Sequence, residues 1–373
     1  MKKLFIFLPL LFLLSSCSSV KPTEPNITEE PATMRNEKNK IENLYQFIHW
    51  DWGQNYPFNG CMAFTLECLG EDKDVYDYWF FAGVGGDNFT MCYGDNGFLN
   101  DCRSVCIDGF DFIEYVLGEI GYGYNYVTGE QINADKDKYV GMAMDYIDKG
   151  IPVLVKGAFG EGEYPWDANF TVLYSYSDFG GKLMATVGSG RDYPTYTIDT
   201  TKEITDDWIF MGERINDPPL AQVYRNAVMK IPYWLTMPKD SNGVTFGAEA
   251  FRDWADDIEN GRYDGLTSET FKQWDDYTIF VCNLATNSGG CQGFFQKAQE
   301  LNPDLTFLSD VREQYRRTSD LWNELEAVGG GFNITAETLQ NTEKRGIIAD
   351  KIREFADCMD EVVNIYNKIP GTD

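Results

Sequence analysis

The run from Lys138 to Gly188 limits the fold more than any other stretch of this chain. KYVGMAMDYIDKG carries apolar residues at helical spacing and stops at Gly150, and IPVLVKG follows at once as a strand. ANFTVLYSYSDFGGKLMATVG then reads as a hairpin. Two β-rich runs flank Asp178-Phe179-Gly180-Gly181, whose glycines supply positive φ at the turn. Upstream, FNGCMAFTLECLG, VYDYWFFAGVGG and GFDFIEYVLGEIG read as helices that end in glycine, and GYGYNYV reads as a strand. TYTID and DWIFMG add two short strands. Helices followed by an antiparallel sheet place the chain in the α+β class.

After Gly212 the pattern turns helical. Leu220, Val223, Tyr224, Ala227, Val228 and Ile231 share one face behind Asp217-Pro218, read as an N-cap with proline at the first helical position. Phe251, Trp254, Ala255 and Ile258 do the same ahead of Gly261. Asn302-Pro303 repeats the capping device before Leu308, Val311, Tyr315, Trp322 and Leu325, with Gly329-Gly330-Gly331 as the stop. The last run sets Ile348, Ile352, Phe355, Met359, Val362 and Tyr366 four and three apart and ends before Pro370.

The N-terminus carries an address. Lys2 and Lys3 precede LFIFLPLLFLL, an apolar run too short to span a bilayer comfortably, which is the layout of a secretory signal. Its L-S-S-C ending resembles the lipobox of bacterial lipoproteins, which implies that Cys17 is lipidated and becomes the mature N-terminus. Residues 1–16 are thus expected to be a signal peptide. Residues 17–40, polar and proline-bearing, cannot bury enough surface to fold and are expected to be a tether. The remainder exceeds one typical core, so two domains are expected, 41–215 and a helical 216–373. The expected location is extracytoplasmic, held to a bacterial membrane by lipid alone.

Charge narrows the partners. With 31 basic and 59 acidic side chains the formal net charge is −28, which argues against nucleic acid or anionic lipid as a binding surface. Of the nine cysteines, eight remain once Cys17 is lipidated, an even number that permits disulfides outside the cell, with a pair expected among Cys92, Cys102 and Cys106. No C-x-x-C pair is present and the sole histidine, His49, lies far from the cysteine-rich loop, so no metal or other cofactor is expected. Asn133-Ala-Asp135-Lys-Asp137 begins like a calcium loop but has Lys138 at the glycine position and Met144 at the bidentate carboxylate position. Gly83-Val-Gly85-Gly86 and Gly188-Ser-Gly190 lack a strand–turn–helix context for phosphate, and no G-x-S-x-G elbow occurs.

The candidate chemistry lies in NYPFNGCMAFTLECLG, where Cys61 opens what reads as a helix. A thiol in a first helical turn meets free N–H groups and the dipole, which favour a thiolate. NGCMAFTLECLGEDKDVYDYWFFAGVGG, KGIPVLVKG, ANFTVLYSYSD and FGAEAFRDWADDIENG together resemble the papain-like cysteine peptidase fold. The likeness is closest to bacteriocin leader-peptidase domains and to acyltransferases of the butirosin biosynthesis protein H type. That resemblance implies a papain-like domain of helices packed on an antiparallel sheet, followed by an all-α C-terminal domain. It implies Cys61 as nucleophile, Gln54 or Asn55 as oxyanion donor, and Asp199 as the acid that orients the base.

The base position departs from the family. Asn169 stands where a histidine should open the hairpin, and an amide cannot accept a proton at neutral pH. A general base contributes roughly a hundred- to ten-thousand-fold in rate. His49, among Tyr45, Trp50, Trp52 and Tyr56, and Asp167 are the possible replacements. Two functions therefore stand side by side. One is thiol-dependent hydrolysis or transfer of a peptide-like or amino-acyl substrate. The other is an inactive binding lipoprotein that keeps the cleft. Nothing in the chain fixes an oligomeric state.

Overall fold

A computed structural model describes residues 35–49, 52–54, 56–94, 111–159, 168–188, 195–241, 243–271 and 276–370. The fold is mixed α+β with a seven-stranded sheet as its spine. In chain order its strands are β1 (Asn39–Lys40), β3 (Tyr122–Val127), β4 (Val153–Phe159), β5 (Ala168–Ser177), β6 (Lys182–Thr186), β7 (Thr195–Asp199) and β8 (Asp207–Arg214). The order across the sheet is β3-β8-β4-β5-β6-β7, every pair is antiparallel, and β1 adds to β5. Strands β4 to β7 form a meander. Strand β8 then returns across it and inserts between β3 and β4.

The β5–β6 hairpin closes where the turn residues indicate, with Ser177 opposite Lys182. Its left-handed conformations fall on Asp178 (φ 54°), Phe179 (φ 54°) and Gly180 (φ 89°), whereas Gly181 is right-handed. Gly180 is needed on two counts, because a Cβ there would also meet Met144 Sδ at 2.6 Å. Met144 belongs to the helix Lys136–Asp148, which ends ahead of Gly150 (φ 77°) as its sequence suggests.

The helices of the first half are α1 (Pro57–Cys68), α2 (Tyr78–Val84), α3 (Phe112–Ile120), α4 (Gly129–Ala134) and α5 (Lys136–Asp148). Asp77 caps α2 by accepting from Phe80 N at 2.7 Å, and Asp111 caps α3 by accepting from Glu114 N at 2.9 Å. The second half contributes α6 (Leu220–Met229), α7 (Ile231–Leu235), α8 (Gly247–Glu259), α9 (Asp276–Gly289), α10 (Cys291–Leu301), α11 (Leu308–Ala327), α12 (Ala336–Gln340) and α13 (Thr342–Asn367). The apolar stripe of α13 is buried along its whole length.

Two capping expectations fail there. α6 starts two residues beyond Pro218, and Asp217 pairs with Arg214 instead of capping it. Asn302 closes α10 rather than opening α11; it is buried, accepts from Arg225 Nε at 3.1 Å and donates to Ala221 O at 2.9 Å.

The second half is also not purely helical. Its β9 (Thr245–Phe246) pairs with β2 (Cys92–Tyr93) of the first half. The boundary expected at 215/216 falls within one continuous apolar cluster. Phe80 meets Tyr224 at 5.7 Å, and Phe89 meets Phe295 at 5.2 Å. Buried hydroxyls cross the same seam: Tyr56 donates to Asn283 Oδ1 at 2.7 Å, and Tyr315 donates to Phe89 O at 2.6 Å. Gly83 and Gly86 belong to this seam. A Cβ on Gly83 would enter the Phe294 ring, and one on Gly86 (φ 84°) would lie 2.5 Å from Trp234.

Candidate functional site

Helix α1 begins earlier than the motif suggests, and this decides the environment of the thiol. Pro57 takes the first helical position, so Cys61 is the fifth residue of α1 and stands in its second turn. The dipole and the orphan N–H groups act mainly within the first turn, so Cys61 does not receive them. Every residue from Pro57 to Leu66 is buried, and Cys61 itself is 0% exposed.

The burial has two sources. On the sheet side, Phe58 meets Phe170 of β5 and Phe112 of α3, each at 5.0 Å. On the other side, residues 47 and 48 cross α1 directly over Gly60. A Cβ on Gly60 would collide with Phe47 O and would stand 2.6 Å from Ile48 Cγ1. Phe47 stacks on Phe64 at 4.9 Å and fixes this strap. Glycine at 60 is what lets the strap lie close against α1, next in the chain to the buried Cys61.

The strap continues into a tight turn that holds two of the expected site residues. His49 O accepts from Trp52 N at 2.9 Å and from Gln54 N at 3.2 Å. His49 N donates to Gln54 Oε1 at 2.7 Å. The imidazole stacks on Trp52 with centroids 4.1 Å apart and planes 13° apart. Among the described residues the His49 ring makes no hydrogen bond, so it is not a base for Cys61 in this arrangement. Gln54 is 5% exposed, and its Oε1 accepts from His49 N.

Asn169 is the second residue of β5, directly before the Phe170 that packs on α1. The fold thus brings the backbone at 169 alongside α1. It does not bring Asp199 there. Asp199 pairs with Lys182, and Lys182 pairs with Ser177, at the far end of β5. Eight residues of strand separate that end from Asn169, about 26 Å. The Asp199 carboxylate instead accepts from Thr201 Oγ1 at 2.6 Å and Thr201 N at 3.1 Å, with Lys202 at 3.7 Å, which holds it below the usual carboxylate range. It caps a turn. Asn55, Asp167, Cys17, Cys102 and Cys106 lie outside the described residues.

Several polar groups around α1 escaped the sequence reading. Asn59, 0% exposed and two residues before the thiol, donates to Asp87 Oδ2 at 3.1 Å, and Asp87 is itself buried. Asn88 donates to Trp79 O at 3.2 Å. The only available signal was Asp87-Asn88 directly after the glycines that end α2, a pair that turn chemistry assigns to solvent. Elsewhere, Asp206 lies over Gly157, and burial together with Asp207 pushes its carboxyl up to about 6. Asp207 accepts from Tyr126 OH at 2.5 Å and Gly129 N at 2.9 Å.

Among the described residues no cluster of three or more His, Cys, Asp or Glu side chains gathers at metal-binding range. An open groove lined by Leu305, Phe307, Asp310 and Ile365, between the start of α11 and the end of α13, shares no residue with the α1 constellation. No protein-family model matches the chain, and no curated protein is similar to it.

Proposed function

We propose that this protein is a lipid-anchored extracytoplasmic lipoprotein on a papain-like scaffold that binds a peptide-like or amino-acyl ligand without turning it over. Anchoring rests on the lipobox-like ending at Cys17. No helix among the described residues is long and apolar enough to cross a membrane. The papain-like reading is supported by the order of elements, with α1 packed on β4 and β5 and the β5–β6 hairpin behind it.

The observation that carries the loss of turnover is the complete burial of Cys61 in the second turn of α1. Attack on a carbonyl requires an accessible thiolate with a base in hydrogen-bond reach. Asn169 cannot serve as that base, and His49 is stacked on Trp52. The test is reaction of the native protein with an electrophilic thiol probe, followed by peptide mapping. Cys61 should label only after denaturation, and the native labelling of Cys61→Ala should match wild type. Rapid native labelling that disappears in Cys61→Ala would restore the thiol enzyme.

A further inference from the structure

We propose that the groove between the start of α11 and the end of α13 docks a short basic amphipathic peptide segment, with apolar side chains on its floor and a lysine or arginine at Asp310. The site is separate from α1 and does not depend on whether Cys61 reacts. The groove measures about 710 Å³. Its floor is apolar: Leu305 is buried, and Phe307, Ile365 and Ile369 are half-buried. That floor is built before any ligand arrives. Phe307 meets the Tyr366 ring edge-on at 5.0 Å, and the buried Tyr366 hydroxyl donates to Val228 O at 2.6 Å.

The walls supply the charge complementarity. Four carboxylates, those of Asp304, Asp310, Glu313 and Glu361, line the groove against one ammonium, Lys368. Three of the four are already matched. Arg225 holds both oxygens of Asp304 at 2.6 and 2.7 Å, Arg316 pairs with Glu313 at 2.7 Å, and Lys368 pairs with Glu361 at 3.6 Å. Asp310 is exposed, and its carboxylate has no hydrogen-bond or ion-pair partner among the described residues. Gln314 lies one helical turn further on the same face, and no described residue engages its amide, which can bond a peptide group. One unmatched negative charge thus stands beside an apolar floor, in a protein whose net charge of −28 attracts basic partners.

Other occupants fit less well. A small molecule is normally enclosed over most of its surface, whereas this groove is open to solvent. No lining residue belongs to a strand, which excludes strand addition. The walls are the ends of two helices, the setting in which amphipathic segments dock by apolar side chains one turn apart. Nucleic acid and anionic lipid are repelled by the same carboxylates. A second copy of this chain would bring its own excess of acid to an acidic groove.

The experiment measures, by fluorescence anisotropy, binding of the full-length protein to a labelled helix-forming peptide of leucine and lysine. Its comparisons are the same composition in scrambled order, a leucine–glutamate counterpart, and decylammonium as competitor. The leucine–lysine peptide should bind with Kd below about 100 μM, and the glutamate counterpart should not bind. Asp310→Lys turns attraction into repulsion and should weaken binding about tenfold or more. Asp137→Lys makes the same charge change at an exposed first-turn acid of α5, away from the groove, and should leave Kd within about twofold. Ile369→Ala trims the floor and should weaken binding about threefold or more. Absence of binding up to about 1 mM overturns the proposal. So does equal weakening by Asp310→Lys and Asp137→Lys, which would leave bulk charge as the cause, or equal affinity for the scrambled peptide. Tighter binding of decylammonium than of the peptide would assign the groove to a small amphiphile instead. Self-association of the protein that Asp310→Lys abolishes would assign it to a second copy.

Discussion

At the scale of single side chains, the chemistry turns on which groups can exchange a proton. Asn169 cannot, and with Cys61 sealed an added base has nothing to act on. Asn169→His should therefore leave native labelling of Cys61 unchanged, and a gain of several-fold in labelling rate would contradict the burial argument. Cys68 is half-buried, and burial together with Glu67 pushes its thiol up to about 11, so it should also label slowly near neutral pH. Asp206 is the group poised to titrate near neutrality. Its folded pKa of about 6 lies above the ordinary 3.8, so between those values the folded state holds more protons than the unfolded one. Stability contributed by this group is thus greatest below pH 4 and is lost as pH rises through 6. Asp206→Asn should raise Tm relative to wild type at pH 7.5, with the difference shrinking towards zero at pH 4. A difference that is constant across that window would remove the argument.

Among the secondary elements, α1 and its strap form the unit that matters. Gly60 is the hinge of their packing, since any Cβ there meets the Phe47 carbonyl. Gly60→Ala should destabilise by about 1–3 kcal/mol through overpacking. Because the strap must lift to admit the methyl group, it should also expose Cys61. Chemical denaturation gives the first quantity and native thiol labelling the second; a destabilised variant whose Cys61 still resists labelling would show that the strap is not what seals it. The helix stripes were legible because their period is local. Ile348, Ile352, Phe355, Met359, Val362 and Tyr366 bury as their spacing dictates. The helix itself was legible in FNGCMAFTLECLG, but Pro57 at its first position moves Cys61 from the expected first turn into the second. The failed caps at Asp217 and Asn302 have one cause. Each side chain found a stronger partner elsewhere, Arg214 for the first and Arg225 with Ala221 O for the second.

For the whole molecule, the two halves share a core and should unfold together. The β2–β9 pairing, the Tyr56–Asn283 and Tyr315–Phe89 hydrogen bonds and the ring contacts of Phe80 and Phe89 all cross the expected boundary. Calorimetry should give one cooperative transition, and Tyr56→Phe should lower its Tm without splitting it. Two separable transitions would show that the halves are independent domains.

The amino-acid sequence alone determined the α+β class, the meander from β4 to β6, the long C-terminal stripe and the absence of a histidine at 169. These follow from periodicity, turn chemistry and residue identity, which act over a few residues. Tertiary structure alone decided that β8 lies between β3 and β4, that Asp199 stands a strand length from Asn169, and that Phe47 closes over Gly60. Each of these joins segments distant in the chain or depends on strand register, and such contacts are chosen by packing complementarity that no local pattern encodes.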